Sequence, residues 1–301
     1  MWSREAAVND LRDLLERHPR LRRAATPLLE VRRRLLMGER VNQERNLSAL
    51  FRNVVSGALV VRIDNISGEF ELDARSDLLR RVLVTGAYEP AITHLLERHV
   101  DPGRDVIDVG ANVGLLTVCA ARRIGRGRRV LALEPSPSAR SRLEANLKRN
   151  GVADRTIVFA GCAAERSGDV VLKTIDGREE YSSLRAITHP STRNDVTTDI
   201  TVDSVPLDTL IDRHGLQPGF IKIDVEGAEF TVLRGAIHTL LRHRPVLVVE
   251  IADRLLRNFE TTSADVFSFL RGLRYELRDA ESENKLRSPF NGNILCLPLE
   301  S

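Results

Sequence analysis

Acids and glycines recur in this chain where short apolar runs end, at a spacing that suits nucleotide chemistry. Val106-Ile107-Asp108-Val109 reads as a buried strand with an acid near its end. Gly110 and Gly114 frame the turn that follows, with Asn112 between them, and Leu115 to Ile124 has the apolar density of a packed helix. A strand turning on glycine into a helix N-terminus leaves room for a ligand that a Cβ would block. Dinucleotide loops need a further glycine where the main chain approaches a pyrophosphate, and Asn112 occupies that middle place here. The run D-x-G-x-N-x-G therefore suits a nucleoside without pyrophosphate whose positive end Asp108 can meet, a description that fits S-adenosylmethionine. A second apolar run, Val130 to Leu133, closes on Glu134, about 20 residues beyond Gly114. A carboxylate there accepts ribose hydroxyls.

The chemistry this predicts is methyl transfer to a nucleophile. Such a site must hold the acceptor atom in line and, for a hydroxyl, help remove its proton. The candidates lie in Phe220-Ile221-Lys222-Ile223-Asp224-Val225-Glu226-Gly227, a third strand with acids at its end, and in Pro245 to Ile251, which carries Glu250. Lys222 and Asp224 are two apart on one strand and so project from one face. They can orient or deprotonate a hydroxyl, or form a structural ion pair at a strand end. Glu226 serves either catalysis or the N-terminal cap of the next helix, where its charge suits the dipole. Glu250 is a weaker candidate for a base or a substrate contact.

The segments VIDVGANVG, ALEPSPSARSRLEANL, FIKIDVEGAEFTVLRGA and PVLVVEI together resemble the FkbM family of S-adenosylmethionine-dependent methyltransferases. The resemblance runs from about Tyr88 to the C-terminus, and IDVEGAE beside IDVGANVG is its most specific part. Tyr88-Glu89-Pro90, Ser182-Ser183-Leu184 and Asn293-Ile294-Leu295 are weaker echoes. The resemblance implies a class I, Rossmann-like α/β fold and an O-methyltransferase acting on a hydroxyl of a sugar, polyketide or other small or conjugated metabolite. It carries Asp108, Gly110, Asn112, Gly114 and Glu134 over as cofactor residues. Glu89 matches a pre-loop acid that could hold the methionine end, or it is an exposed helix cap. After the next strand, Gly161-Cys162-Ala163-Ala164 offers no carboxylate, so main-chain groups near Cys162 would have to read the adenine.

The elements that must position these residues alternate strand and helix. Strands are expected at 106–109, 129–134, 156–160, 169–174, 199–207, 219–224 and 245–251, and helices at 113–124, 137–150, 227–242 and 263–272. Alternation of this kind argues for a parallel sheet flanked by helices. Runs at 274–279 and 293–298 read as a closing antiparallel hairpin. The polar stretch from Asp176 to Asp199 is long for a structureless loop, which usually marks a functional segment; Tyr181 and Ser183 in it are candidate substrate contacts. Ahead of this domain, expected over 81–301, lies an extension of residues 1–80. Its apolar positions Leu11, Leu14, Leu15, Leu28, Val31 and Leu35 have helical spacing, and Val54 to Leu72 reads as a β-hairpin turning at Asn65-Ile66-Ser67-Gly68. Two helical pieces, broken around Gly86 and Pro90, link hairpin to domain. The first helices are a solvated extension, a dimer arm or a substrate lid.

Bulk properties narrow the alternatives. The chain has 301 residues, 42% of them apolar, and a net charge of +3, too small to imply a nucleic-acid partner by itself. An RNA ribose methyltransferase remains an alternative because of the Lys222 and Asp224 pairing, against which stands the lack of a basic, aromatic platform. A nicotinamide-dependent dehydrogenase is disfavoured by Asn112, and a non-catalytic nucleoside-binding protein is a further alternative. His238 and His243 are five apart, as are His94 and His99, off the register for a helical metal site, and no metal is expected. No apolar run is long enough to cross a bilayer. Cys119, Cys162 and Cys296 lack metal or redox spacing and read as buried thiols in a cytoplasmic protein.

Overall fold

The computed structural model of the chain describes residues 57–178, 181–185, 192, 195–282, 284, 286 and 289–299. The helices expected between Asn9 and Met37 lie outside these residues. The first elements are strands β1 (Ala58–Ile63) and β2 (Gly68–Asp73), an antiparallel hairpin whose turn passes through Ser67 in a left-handed conformation. Helix α1 (Asp77–Thr85) starts on the Ser76 hydroxyl, which accepts from Leu79 N at 3.0 Å, and stops at left-handed Gly86. Helix α2 (Pro90–His99) begins with proline, whose missing N–H costs nothing in a first turn.

The α/β domain proper continues with β3 (Asp105–Val109), α3 (Leu115–Ala121), β4 (Val130–Leu133), α4 (Pro137–Arg149) and β5 (Thr156–Phe159). Three strands then form a small sheet of their own: β6 (Gly161–Ala163), β7 (Gly168–Ile175) and β8 (Thr197–Val205), in the order β6-β8-β7. Next come α5 (Leu207–His214), β9 (Pro218–Ile223), α6 (Glu229–Arg234), α7 (Ile237–His243), β10 (Val246–Ala252), α8 (Asp253–Leu256) and α9 (Ser263–Gly272). Strands β11 (Tyr275–Asp279) and β12 (Asn291–Pro298) end the fold as the expected hairpin. The main sheet runs β11-β12-β10-β9-β3-β4-β5. Its five strands from β10 to β5 are mutually parallel, and β12 runs antiparallel to both of its neighbours.

Burial on both faces explains why the central strands read as continuous apolar runs. Successive residues sort into two cores. Val106, Phe220, Val248 and Leu295 face one, with α2, α3 and the hairpin residues Ile63, Phe70 and Leu72. Ile107, Ile221, Leu247 and Ile294 face the other, with α5, α6, α7 and α9. Residues on both sides of position 80 share the first core, among them Leu72, Leu79 and Leu95. Asn146 of α4 fastens the hairpin: its side chain accepts from Glu71 N at 2.7 Å and donates to Glu71 O and to Val113 O.

Several elements depart from expectation. Helices α5 and α8 and strand β6 are not among those expected, and β7 and β8 pair antiparallel in the small sheet instead of joining the main one. The single helix expected over 227–242 is two, α6 and α7, interrupted at Gly235 and Ala236. A Cβ at Gly235 would lie 2.0 Å from Ala164 O, so the main chain there is pressed against the loop after β6. Asp208 then restarts the helix by accepting from His238 N and Thr239 N at 3.0 and 2.8 Å. Among the described residues no helix is long and apolar enough to cross a membrane.

Candidate active site

Strands β3 and β9 lie side by side, and the chain leaves them in opposite directions, β3 toward β4 and β9 toward β10. Open sheets bind ligands in the crevice beyond such a point. The crevice here is a cavity of about 190 Å³. One wall is the glycine loop. Gly110 N and Ala111 N both donate to Leu133 O, at 3.1 and 2.9 Å, and Asn112 N donates to Glu134 Oε2 at 2.8 Å. Gly110 has φ +80°, and a Cβ on it would lie 1.8 Å from Asp224 O, so only glycine lets the two loops meet. Asn112 also takes a left-handed φ, of 50°, and its Oδ1 is buried without a hydrogen-bond partner among the described residues.

Glu134 closes the corner. Its second oxygen accepts from Ser136 N at 2.8 Å. Burial nevertheless pushes the carboxyl up to about 7, against the two N–H donors. Cys162 stands on the same side of the cavity, where burial and then Glu134 push its thiol up to about 12.

Beside the glycine loop lies a cluster of charge. Lys222 is 8% exposed; its Nζ donates to Gly110 O at 2.9 Å and stands 3.2 Å from Asp224 Oδ2 and 3.7 Å from Asp108 Oδ1. Burial works against the ammonium, but Asp224, Asp108 and Glu89 outweigh it and hold the group above the ordinary lysine range. Of the roles weighed for it, that shift disfavours deprotonating a hydroxyl, while orientation and a structural ion pair with Asp224 both fit the geometry. Asp224 is pushed up by burial but brought below the ordinary carboxylate value by Lys222 and by a hydrogen bond with Glu250. Glu250, in turn, is driven well above its usual value, first by the charge of Asp224 and then by burial. Two carboxyls this close cannot both ionise freely, and the pair is pulled apart, Asp224 toward its charged form and Glu250 toward its protonated one.

The other candidates divide. Gly110, Asn112, Glu134, Cys162, Glu89 and Glu226 line the cavity, as do Tyr181, Ser183, Lys222, Asp224 and Glu250. Asp108 and Gly114 do not. Asp108 is 2% exposed, accepts from Thr117 Oγ1 at 2.6 Å, and has Lys222 Nζ 3.7 Å from its Oδ1. A Cβ at Gly114 would meet Leu143 Cδ1 at 2.5 Å, so this glycine serves helix packing against α4. Glu89 precedes α2 with left-handed φ 38° and makes no side-chain cap bond. Burial, then Asp224, raises its carboxyl, and Arg81 lies 3.8 Å away. Glu226 is not the cap either: α6 begins at Glu229 behind Ala228. Tyr181 donates its hydroxyl to Asp77 Oδ2 at 2.7 Å, and Ser183 pairs through its main chain with Lys173.

Two features escape a reading of the sequence. Glu229 is buried and holds the turn between β9 and α6, accepting from Val225 N at 3.1 Å and Gly227 N at 3.0 Å. The DVEGAE run contains it, but a glutamate entering a helix looks like any other. Arg178 is buried between Asp77 and Asp195, with its guanidinium 4.6 Å from the centre of the Tyr181 ring. Its partner Asp77 is 101 residues away in sequence, and no local signal connects them.

A seven-stranded sheet with one reversed strand near its edge, a glycine loop after the first parallel strand and an acid after the second define the class I methyltransferase fold. Residues 108–277 match the methyltransferase FkbM domain, and the chain belongs to that family. It is 44% identical over 68 residues to a ribosomal protein L11 methyltransferase of Chloroflexus aurantiacus, a match covering 23% of this chain and 20% of that protein. Over 184 residues it is 28% identical to the AMB antimetabolite synthetase AmbE of Pseudomonas aeruginosa, covering 51% of this chain and 8% of the synthetase. The chain thus spans a fifth or less of the length of these relatives. Among solved structures, it resembles a methyltransferase FkbM from Methylobacillus flagellatus at 20% identity and a TM-score of 0.44, covering 65% of this chain and 44% of that one. It also resembles an O-methyltransferase from Bacillus cereus in complex with SAH at 16% identity and a TM-score of 0.42, covering 74% and 89%.

Proposed function

We propose that the protein is an S-adenosylmethionine-dependent O-methyltransferase whose acceptor is a hydroxyl of a small or conjugated metabolite. The observation that carries this reading is one cavity with two kinds of lining. Asp224, 3.2 Å from Lys222 Nζ, adjoins a nucleoside corner built by Gly110, Asn112 and Glu134.

The residues present fit the cofactor. Glu134 has lone pairs beyond those taken by Asn112 N and Ser136 N, and ribose hydroxyls can donate to them. The Oδ1 of Asn112, without a hydrogen-bond partner among the described residues, is a further acceptor beside the loop. Cys162 would lie at the base, contributing main-chain groups and a thiol that stays protonated. Glu89 would meet the ammonium of the methionine end. When bound, the cofactor supplies a methyl group already activated by its sulfonium.

The protein's own part is positioning and proton handling. Asp224 accepts the acceptor's O–H hydrogen bond and takes up its proton as the oxygen becomes nucleophilic. Lys222 keeps Asp224 ionised and ties it to the glycine loop through Gly110 O. Glu250 donates to Asp224 in the resting site. Glu226, Tyr181 and Ser183 form the acceptor side of the cavity. The test is transfer of a labelled methyl group from S-adenosylmethionine to a panel of hydroxylated sugars, polyketides and matched amines. Label on hydroxyl oxygen supports the reading; label confined to amines, or to ribose in RNA, replaces it.

A further inference from the structure

Asp224 and Glu226 both sit on the short turn between β9 and α6, and that turn is held in an unusual form. Its φ is 55° at Glu226 and 104° at Gly227, where a Cβ would lie 2.7 Å from Leu255 O. A left-handed glutamate needs its surroundings to keep it there. On one side Asp224 N donates to Val109 O at 3.1 Å, and Gly110 packs against Asp224 O. On the other, Val225 N and Gly227 N both donate to a single oxygen of Glu229. Glu229 is 1% exposed and is not on the cavity wall, and its second oxygen has no hydrogen-bond partner among the described residues. Burying a carboxyl is costly. Here it serves two N–H groups that carry the site's acids on either side of them.

We propose that Glu229 is the positioning residue of the site, fixing the Val225–Gly227 turn so that Asp224 and Glu226 face the acceptor. This rests on the methyl-transfer reading above. Glu229 touches neither ligand nor acceptor and acts through the main chain. What it contributes is an acceptor oxygen within reach of both N–H groups, rather than a charge. Glutamine meets that requirement. Its amide oxygen accepts both bonds, and its nitrogen takes the place of the oxygen that has no partner.

The test compares Glu229→Gln with Glu229→Ala in the full-length protein. Glu229→Ala should lower kcat about 10- to 100-fold, the scale of a displaced reacting group. KM for the acceptor and affinity for S-adenosylhomocysteine should stay within about threefold, because nothing that binds them is removed. Glu229→Gln should keep at least about a third of kcat. Hydrogen exchange at Val225 N–H and Gly227 N–H should speed up about tenfold or more in the alanine variant and not in the glutamine variant. If Glu229→Ala does not fold, Glu229→Asp replaces it: the charge stays, the reach is lost, and the same losses are expected. Unchanged exchange in the alanine or aspartate variant overturns the proposal. So does a kcat within about threefold of wild type, or a glutamine variant as slow as the alanine one. A wild-type protein that methylates nothing sinks the methyl-transfer reading instead, and the exchange rates, which need no activity, then decide whether Glu229 holds the turn.

Discussion

The raised carboxyl of Glu134 makes stability and cofactor binding depend on pH in a calculable way. Burial moves it from 4.5 to about 7 in the folded protein. A group whose folded value lies above its unfolded value gives stability that is complete below the unfolded value and lost as pH rises through the folded one. At ~1.4 kcal/mol per pH unit, the displacement corresponds to about 3 kcal/mol lost between about pH 4.5 and pH 7. Glu229, raised to about 7 by burial, contributes in the same direction. Glu134→Gln removes its own titration and leaves those of Glu229, Glu89 and Glu250, which are also raised. It leaves one acceptor for the Asn112 and Ser136 N–H groups, so it also loses one bond, about 1 kcal/mol at every pH. Urea unfolding of wild type and Glu134→Gln at pH 5, 6, 7 and 8 should therefore show a flatter pH profile for the variant, by up to about 3 kcal/mol across the range. Ribose hydroxyls donating to the carboxylate favour its charged form, so binding of S-adenosylhomocysteine near pH 6.5 should release a proton in wild type and not in the variant. Parallel pH profiles and equal proton release would refute the assignment of this titration to Glu134.

Asp224→Asn should bind S-adenosylhomocysteine nearly as wild type yet lose about 10² to 10⁴ in single-turnover rate, the usual size of a general-base contribution; a rate within about threefold removes Asp224 from the mechanism. Gly110→Ala places a methyl against Asp224 O at a left-handed φ, so its midpoint of thermal unfolding should fall by an amount equivalent to about 1–3 kcal/mol, with cofactor affinity falling too; a wild-type melt would show that the two loops have slack. Deleting residues 1 to about 40 should leave cofactor affinity intact while lowering turnover or changing the mass measured by light scattering. Wild-type activity and mass would leave that segment without a role in the lid or in dimer formation.

What was legible in the sequence follows from how local each signal is. Strands β3, β9 and β10 stand out because parallel strands buried on both faces are unbroken apolar runs. Gly110, Asn112 and Glu134 could be found because the loop and the acid after the next strand keep a fixed spacing. The ion pair of Asp108 could not be read from its own neighbourhood. Its cation, Lys222, sits directly across the β3–β9 register, more than a hundred residues away in the chain. The break between α6 and α7 is hidden for a similar reason. Val232, Leu233, Ala236 and Leu240 keep helical spacing across it, while the main chain that stops the helix belongs to Ala164. Glu226 is not the helix cap it could have been because α6 starts behind Ala228, a matter of backbone geometry that spacing does not reveal.

Calorimetric titration of S-adenosylhomocysteine into wild type and Glu134→Ala tests the central claim most directly. Wild type should bind with one site per chain, and Glu134→Ala should bind more than about tenfold more weakly, since hydrogen bonds to a charged group contribute roughly 1.5–3 kcal/mol. NAD titrated in parallel should give no heat of binding. No binding of S-adenosylhomocysteine to wild type, or equal affinity in Glu134→Ala, would contradict the account of this cavity as a sulfonium-nucleoside site.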